Sequence, residues 1–250
     1  MYEDKTLSIA KIIQNCVEFY RIYIFAFCIF MCYTIHMQKE NYYLKMLAEI
    51  ESLHGKKMKL LLHSCCGPCS THCIEMLRPH FDVTVLFYNP NITEEAEYLK
   101  RKETQLQCLQ QYTDVSFMDC DYNTDVFFAI AKGREGLKEG GARCYLCYDL
   151  RIDYTAQMAE KNEYTYFCST LSVSPHKNSA WINKIGEKLQ QKYAVKWLPS
   201  DFKKQNGYRT SVMLAQKQNL YRQNYCGCVY SNWQKNENKE KEMQKKMLEE

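Results

Sequence analysis

The chain has 250 residues, 46% of them hydrophobic, enough for a sizeable core in one α/β domain with additions. Thirty-three basic residues against 29 acidic ones leave a net charge of +4, which permits contact with RNA or phosphate without requiring it. Secretion and a membrane anchor are both disfavoured: the apolar run Ile22 to Ile35 falls short of the ~20 residues that span a bilayer, and Thr34-Ile35-His36-Met37 is a poor cleavage site. Fourteen cysteines therefore point to metal or redox chemistry in a reducing, cytoplasmic setting rather than to a disulfide framework.

Residues 1–36 read as an extension ahead of a start at Met37, residues 37–232 as the catalytic unit and 233–250 as a charged helical tail in which Lys and Glu balance. From Met37 the chain alternates. A helix from Tyr42 to Leu53 stops at Gly55. The strand Met58 to Ser64 enters Cys65-Cys66-Gly67-Pro68-Cys69, and Ser70 or Thr71 is placed to cap a helix to Arg78. Val83 to Tyr88 forms the next strand, ending at Asn89-Pro90-Asn91, and Thr93 caps a helix to Tyr112 with Glu94 and Glu95 at its positive end. Val115 to Met118 is a third strand, closed by Asp119-Cys120-Asp121, and Thr124 to Ala131 a helix. A glycine-rich loop leads to Arg143-Cys144-Tyr145-Leu146-Cys147 and a helix to Lys161. The strand Tyr164 to Cys168, a loop to Lys177, a helix Asn178 to Gln191, a strand Val195 to Leu198 and a helix Tyr208 to Gln218 follow, and then Tyr225-Cys226-Gly227-Cys228.

Five strand and helix repeats predict a doubly wound, mostly parallel five-stranded α/β sheet, similar to nucleotide-hydrolase and PP-loop folds, with helical additions around a metal site. Right-handed crossovers put every strand's carboxyl end on one edge, where ligands bind. Cys65 to Cys69, Asn89 to Asn91, Asp119 to Asp121, Ser169 to Lys177 and Asp201 to Lys203 all fall just after strands, so one site built from five loops is expected.

Each cluster has a plainer reading beside the functional one. Cys66-Gly67-Pro68-Cys69 between strand and helix also suits a thioredoxin-like dithiol, but that site needs neither Cys65 nor further cysteine pairs. Cys144 and Cys147 share one face of a helix and could join the strand-tip sulfurs on one metal. A four-thiolate zinc staple is the bland alternative. Residues 70–143 lie between the pairs, whereas zinc ribbons usually close within about 15–20 residues, and an iron-sulfur cluster is the better match. Cys226-Gly227-Cys228 suits either a redox switch or more metal ligands. Cys16, Cys28, Cys32, Cys108, Cys120 and Cys168 read as small core residues, and His63 as a satisfied buried polar group. Arg143, Lys177, Lys203, Arg209 and Arg222, interleaved with Tyr88, Tyr145, Tyr225 and Tyr230, suit RNA backbone contact and base stacking.

Taken together, Leu61-Leu62-His63-Ser64-Cys65-Cys66-Gly67-Pro68-Cys69-Ser70, Phe87-Tyr88-Asn89-Pro90-Asn91-Ile92, Arg143 to Cys147, Ser169-Thr170-Leu171 with Ser174 to Lys177, Asp201-Phe202-Lys203 and Tyr225 to Cys228 resemble the signature set of the cobalamin-independent epoxyqueuosine reductases, the QueH family. The resemblance runs from about Met37 to Ser231. It implies two-electron deoxygenation of epoxyqueuosine in the tRNA anticodon to queuosine, the last step of queuosine biosynthesis, with electrons from an unidentified donor. By motif, Cys65, Cys66, Cys144 and Cys147 would hold a [4Fe-4S] cluster and Cys226 with Cys228 would form a redox-active disulfide. An additional iron is implied too; Cys69, Asp119 and Asp121 are its candidate ligands here, and the resemblance fixes none of them. Residues 1–36 have no counterpart in the family pattern. Two other readings stand beside it. An ATP-dependent tRNA-thiolating enzyme should carry Ser-Gly-Gly-x-Asp-Ser where this chain has cysteines, and a metal-stapled RNA-binding module would not need the Cys226/Cys228 pair.

Overall fold

The computed structural model describes residues 40–236 and Ile24. The expected extension, the apolar run from Ile22, Cys16, Cys28, Cys32 and the tail beyond residue 236 lie outside the described residues. A compact unit begins at Asn41. Among the described residues, no helix is long and apolar enough to cross a membrane.

The order of elements is α1 (Tyr42–Ser52), β1 (Met58–His63), α2 (Gly67–Leu77), β2 (Phe81–Leu86), α3 (Glu95–Leu109), β3 (Ser116–Met118), α4 (Asp125–Ala131), α5 (Ala142–Lys161), β4 (Tyr166–Ser169), a 3-10 turn (Thr170–Val173), α6 (Ser179–Leu189), β5 (Lys196–Trp197) and α7 (Gly207–Lys217). Residues 229–236 are again helical. The five strands are all parallel in the order β3-β2-β1-β4-β5. The chain thus winds outward from β1 through β2 to β3, then returns to the other side of β1 for β4 and β5. Such a reversal opens a crevice at the strands' carboxyl ends. Here it falls between β1 and β4.

The strands read as continuous apolar runs because helices cover both faces. Leu60, Leu61 and Leu62 are fully buried, as are Phe167 and Cys168 across the ladder from them. One helical layer packs α2 against α3 and α7, and the other packs α5 against α6, β1 and β4.

Two expectations are corrected. The helix after β1 starts at Gly67, not beyond Ser70: Cys66 takes the N-cap position with extended backbone, and Pro68 occupies the first turn. Proline's fixed φ and missing N–H suit a helix start, so Cys69 lies inside the first turn of α2. Likewise Glu94, not Thr93, occupies the N-cap of α3, and its side chain makes no capping bond. Asn178 does cap α6, its Oδ1 accepting from the amides of Ala180 and Trp181.

The α6–β5 packing has one tight point. A Cβ on Gly186 would lie 2.0 Å from the Trp197 ring. In a free helix, Gly to Ala adds about 1 kcal/mol of stability; here overpacking reverses the sign. Gly186→Ala is expected to destabilise by about 1–3 kcal/mol, read as a lowered melting temperature in a thermal scan, and an unchanged or raised value would contradict this packing.

Candidate metal centre and cavity

The site is built at the end of β1. His63 is fully buried and latches three segments: its Nδ1 lies 2.7 Å from Ser169 Oγ and its Nε2 3.0 Å from the Tyr88 carbonyl oxygen. A carbonyl only accepts, so Nε2 carries the proton and Nδ1 accepts from the Ser169 hydroxyl. Burial, then the charge of Arg151, push His63 down to about 3. It is a neutral clamp, as a satisfied buried group should be.

The next residues cross to β4. The Cys65 amide donates to Thr170 Oγ1 at 3.1 Å, and the Thr170 hydroxyl lies 3.5 Å from Cys65 Sγ. Gly67 allows the backbone to turn under α3, since a Cβ there would sit 2.7 Å from the Thr104 carbonyl oxygen. The outcome is a triad: the sulfurs of Cys65, Cys66 and Cys69 all lie within 4.8 Å of one another. Gln223 Nε2 donates to Cys66 Sγ at 2.9 Å.

The triad concentrates its negative charge on one atom. Hydrogen bonds from Cys66 and Cys69 hold Cys65 well below the usual thiol range. Burial and the bond to Cys65 push Cys66 up to about 12, while Cys69 is raised by donating to both neighbours. A thiolate between two thiol donors is a soft, buried ligand set suited to iron or zinc.

A second set of thiols lies on α5 and in the loop after α7; of these only Cys226 lines the cavity. Among the described residues only Cys65, Cys66 and Cys69 form a group of three within ligating distance, so Cys144 and Cys147 are not brought into it. Cys144 and Cys147 lie on the first turns of α5, where Gly140 N donates to Cys144 Sγ at 3.3 Å. Burial raises both, Cys147 to about 12. Cys228 packs with Cys147, Phe127 and Tyr230, and burial raises it to about 12. Cys226 and Cys228 are free thiols.

Their loop is pinned from α3. Arg101, 2% exposed, pairs with Glu97 Oε1 at 2.6 Å and donates to the carbonyl oxygens of Cys226 at 3.0 Å and Tyr225 at 3.3 Å. Gly227 has φ of +117°, and a Cβ there would meet Ile92 Cγ1 at 3.0 Å and Arg101 Nη1 at 3.1 Å. Backbone conformation and space both demand glycine.

Two cations join the groups. Arg151 is buried, donates through Nη2 to Asn89 Oδ1, and feels Cys147, Cys65 and Cys226. Lys177 is half-buried; although burial works against its charge, Cys226, Cys65 and Cys69 raise it well above the ordinary lysine range. Cys65, Cys69, Cys226, Arg151 and Lys177 all line one cavity of 740 Å³.

The family model described as "Epoxyqueuosine reductase QueH" matches residues 60–234. The chain belongs to the QueH family. It is 41% identical over 201 residues to the epoxyqueuosine reductase QueH of Streptococcus pyogenes serotype M1, covering 78% of this chain and 79% of that one. The QueH of Staphylococcus epidermidis is 40% identical, with 78% and 85% covered, and that of Thermotoga maritima 35%, with 69% and 89% covered.

The other sequence candidates fall as follows. Asp119 and Asp121 are exposed, Asp119 bonded to Lys102 at 2.7 Å. They follow β3, the edge strand, and neither lines the cavity. Arg143 and Tyr230 do not form an RNA surface: Arg143 is buried, donates to the carbonyls of Arg134, Glu135 and Leu137, and lies over the Tyr230 ring. Cys108 and Cys168 are core residues as expected, with Cys73 beside them. Arg151 went unrecognised in the sequence, although the spacing 144, 147, 151 sets it on the cysteine face of α5. Arg101 and Gln223 carried no comparable signal.

With metal removed and the protein kept anaerobic, Cys65 is expected to be alkylated by iodoacetamide at pH 7 ahead of Cys66 and Cys69. Peptide mass spectrometry reads the order, and equal rates for the three would show that the charge is not localised. A lowered thiol pKa keeps the thiolate down to pH values where ordinary cysteines are protonated. Because Cys66 is pushed up to about 12 and Cys69 is raised too, the advantage should persist through pH ~9 instead of closing at the ordinary thiol pKa of ~8.5.

Proposed function

We propose that the protein reduces epoxyqueuosine in a tRNA anticodon to queuosine, with Cys65, Cys66, Cys144 and Cys147 holding a [4Fe-4S] cluster and Cys226 with Cys228 acting as a redox pair. The observation that carries this reading is the buried triad of Cys65, Cys66 and Cys69 beside a cavity that Cys226, Arg151 and Lys177 also line. Two cations facing all-sulfur ligands suit a group with net negative charge, and thiolates are the normal ligands of such clusters. When bound, the cluster supplies one-electron transfer near the substrate. Cys69, within the triad, is the residue placed to ligate an additional iron; nothing in the geometry speaks for Asp119 or Asp121 in that role.

The protein's own residues account for the rest. Opening the epoxide breaks both of its C–O bonds, forms a C=C bond, and needs two electrons and two protons to release water. Oxidation of the Cys226 and Cys228 thiols to a disulfide supplies that number of each, and the external donor then reduces the disulfide. Gly227 gives the backbone freedom for the closure. Lys177, held in its charged form, is a poor proton shuttle but a good hydrogen-bond donor to oxygen as negative charge develops on it. Arg151 adds a second positive charge in the same water-poor space. A nucleoside in an anticodon loop can be splayed out into such a cavity, and exposed Arg222 with Lys235, whose Nζ lies 5.8 Å from the Tyr225 ring, stands at its wall for the RNA backbone. We assign the activity to the unit from about residue 37; Gln234 and Lys235 line the cavity, so the unit takes in the first residues of the stretch that composition assigns to the tail.

Anaerobic purification with ultraviolet-visible and electron paramagnetic resonance spectra and iron counts tests this. Cys66→Ala is expected to lose cluster absorbance, whereas Cys226→Ala retains it and loses turnover of epoxyqueuosine-tRNA. A colourless zinc protein, or identical behaviour of the two variants, would overturn the division of roles.

A further inference from the structure

The cavity wall holds two carboxamides whose oxygens lack partners. Asn91 is 2% exposed and lines the cavity, yet its Oδ1 accepts no hydrogen bond. Gln223 lines it too: its Nε2 is committed to Cys66 Sγ, and its Oε1 is buried without a partner. An unmet buried acceptor costs about 1–3 kcal/mol, and native interiors keep few of them. Neither side chain can easily swing away to find a partner. Asn91 follows Pro90 in a turn closed by Ile92 N on the Asn89 carbonyl at 3.1 Å, and the turn is held further by Tyr122 Oη on the Ile92 carbonyl at 2.8 Å. Gln223 is anchored by its sulfur contact.

We propose that Asn91 and Gln223 are specificity-determining residues that accept hydrogen bonds from hydroxyl groups of the modified nucleoside; this rests on the reductase reading above. The chemistry of the two oxygens selects the donor. A carboxamide oxygen only accepts, and a neutral O–H is the donor it takes at the least cost in desolvation whether Arg151 and Lys177 or Glu139 stands beside it on the wall. The hydroxylated ring of the substrate thereby supplies what the empty wall lacks, and unmodified guanosine at the same anticodon position does not. A site that hydrogen-bonds a substrate hydroxyl rejects analogues without it, because its own polar groups then stay unpaired.

The test measures dissociation constants of anaerobically isolated holoprotein, without added reductant, for one tRNA carrying either epoxyqueuosine or guanosine. Asn91→Leu and Gln223→Met, both near-isosteric, are expected to weaken binding of the modified tRNA about tenfold each, as loss of a buried hydrogen bond implies, with binding of the guanosine form unchanged. Removing an unpartnered acceptor should also leave the melting temperature of free Asn91→Leu unchanged or raised. A lowered melting temperature with the preference intact would make Asn91 a structural residue and overturn the proposal. If wild type prefers the modified tRNA and both variants keep that preference in full, the pair is wrong and the reductase reading stands. If wild type shows no preference, both fall.

Discussion

The site depends on a buried cation that has no carboxylate. Arg151 lies in the interior with the neutral Asn89 carboxamide as its hydrogen-bond partner, and among the described residues no acidic group forms an ion pair with it. An isolated charge in such a place costs several kcal/mol unless opposite charge is brought to it. The groups around it are Cys65, Cys147 and Cys226. Of these, Cys65 is held as a thiolate while burial pushes Cys147 up, so Cys65 is the counter-charge for a cation that reaches the cavity from α5. Lys177 repeats the arrangement from the β4 side, which makes the cavity floor positive where its sulfurs are negative.

Topology brings that cation and its thiolate together. The β1–β4 reversal leaves a crevice that Cys65 and Cys69 line from the β1 tip, and α5 reaches the same space through Arg151. Edge strands do not reach it. That is why Asp119 and Asp121 after β3 follow a strand as Cys65 and Cys66 do and yet stay exposed at the sheet's edge, while Asp201 after β5, although buried, is taken up by Lys203 at 2.9 Å and by the Ser179 hydroxyl at 3.1 Å.

Much of this was legible in the sequence. Apolar, β-branched runs marked the strands, and their alternation with helices gave the parallel sheet. The cysteine motifs, and the position of Cys65 to Cys69 after β1, marked the site, and the satisfied burial of His63 was expected. What escaped was long-range burial of charge. Arg101 sits in Tyr98-Leu99-Lys100-Arg101-Lys102-Glu103, a stretch that reads as a solvated helix face; it is buried only because the loop around Cys226, more than a hundred residues later, docks on it. The start of α2 was misplaced for a local reason: Ser70 and Thr71 look like caps, but Pro68 already has the dihedral angle a helix needs.

The anchoring of the C-terminal loop has a consequence for how freely it can change. Arg101 grips the main-chain oxygens of Tyr225 and Cys226, and its guanidinium also lies 5.2 Å from the centre of the Tyr225 ring. Only the main-chain part of that hold is blind to residue identity. The position of the Cys226 sulfur is thus set by Gly227, by the ring at 225 and by a guanidinium on a distant helix, so a change at 226 leaves the hold intact whereas one at 225 removes its cation–π part.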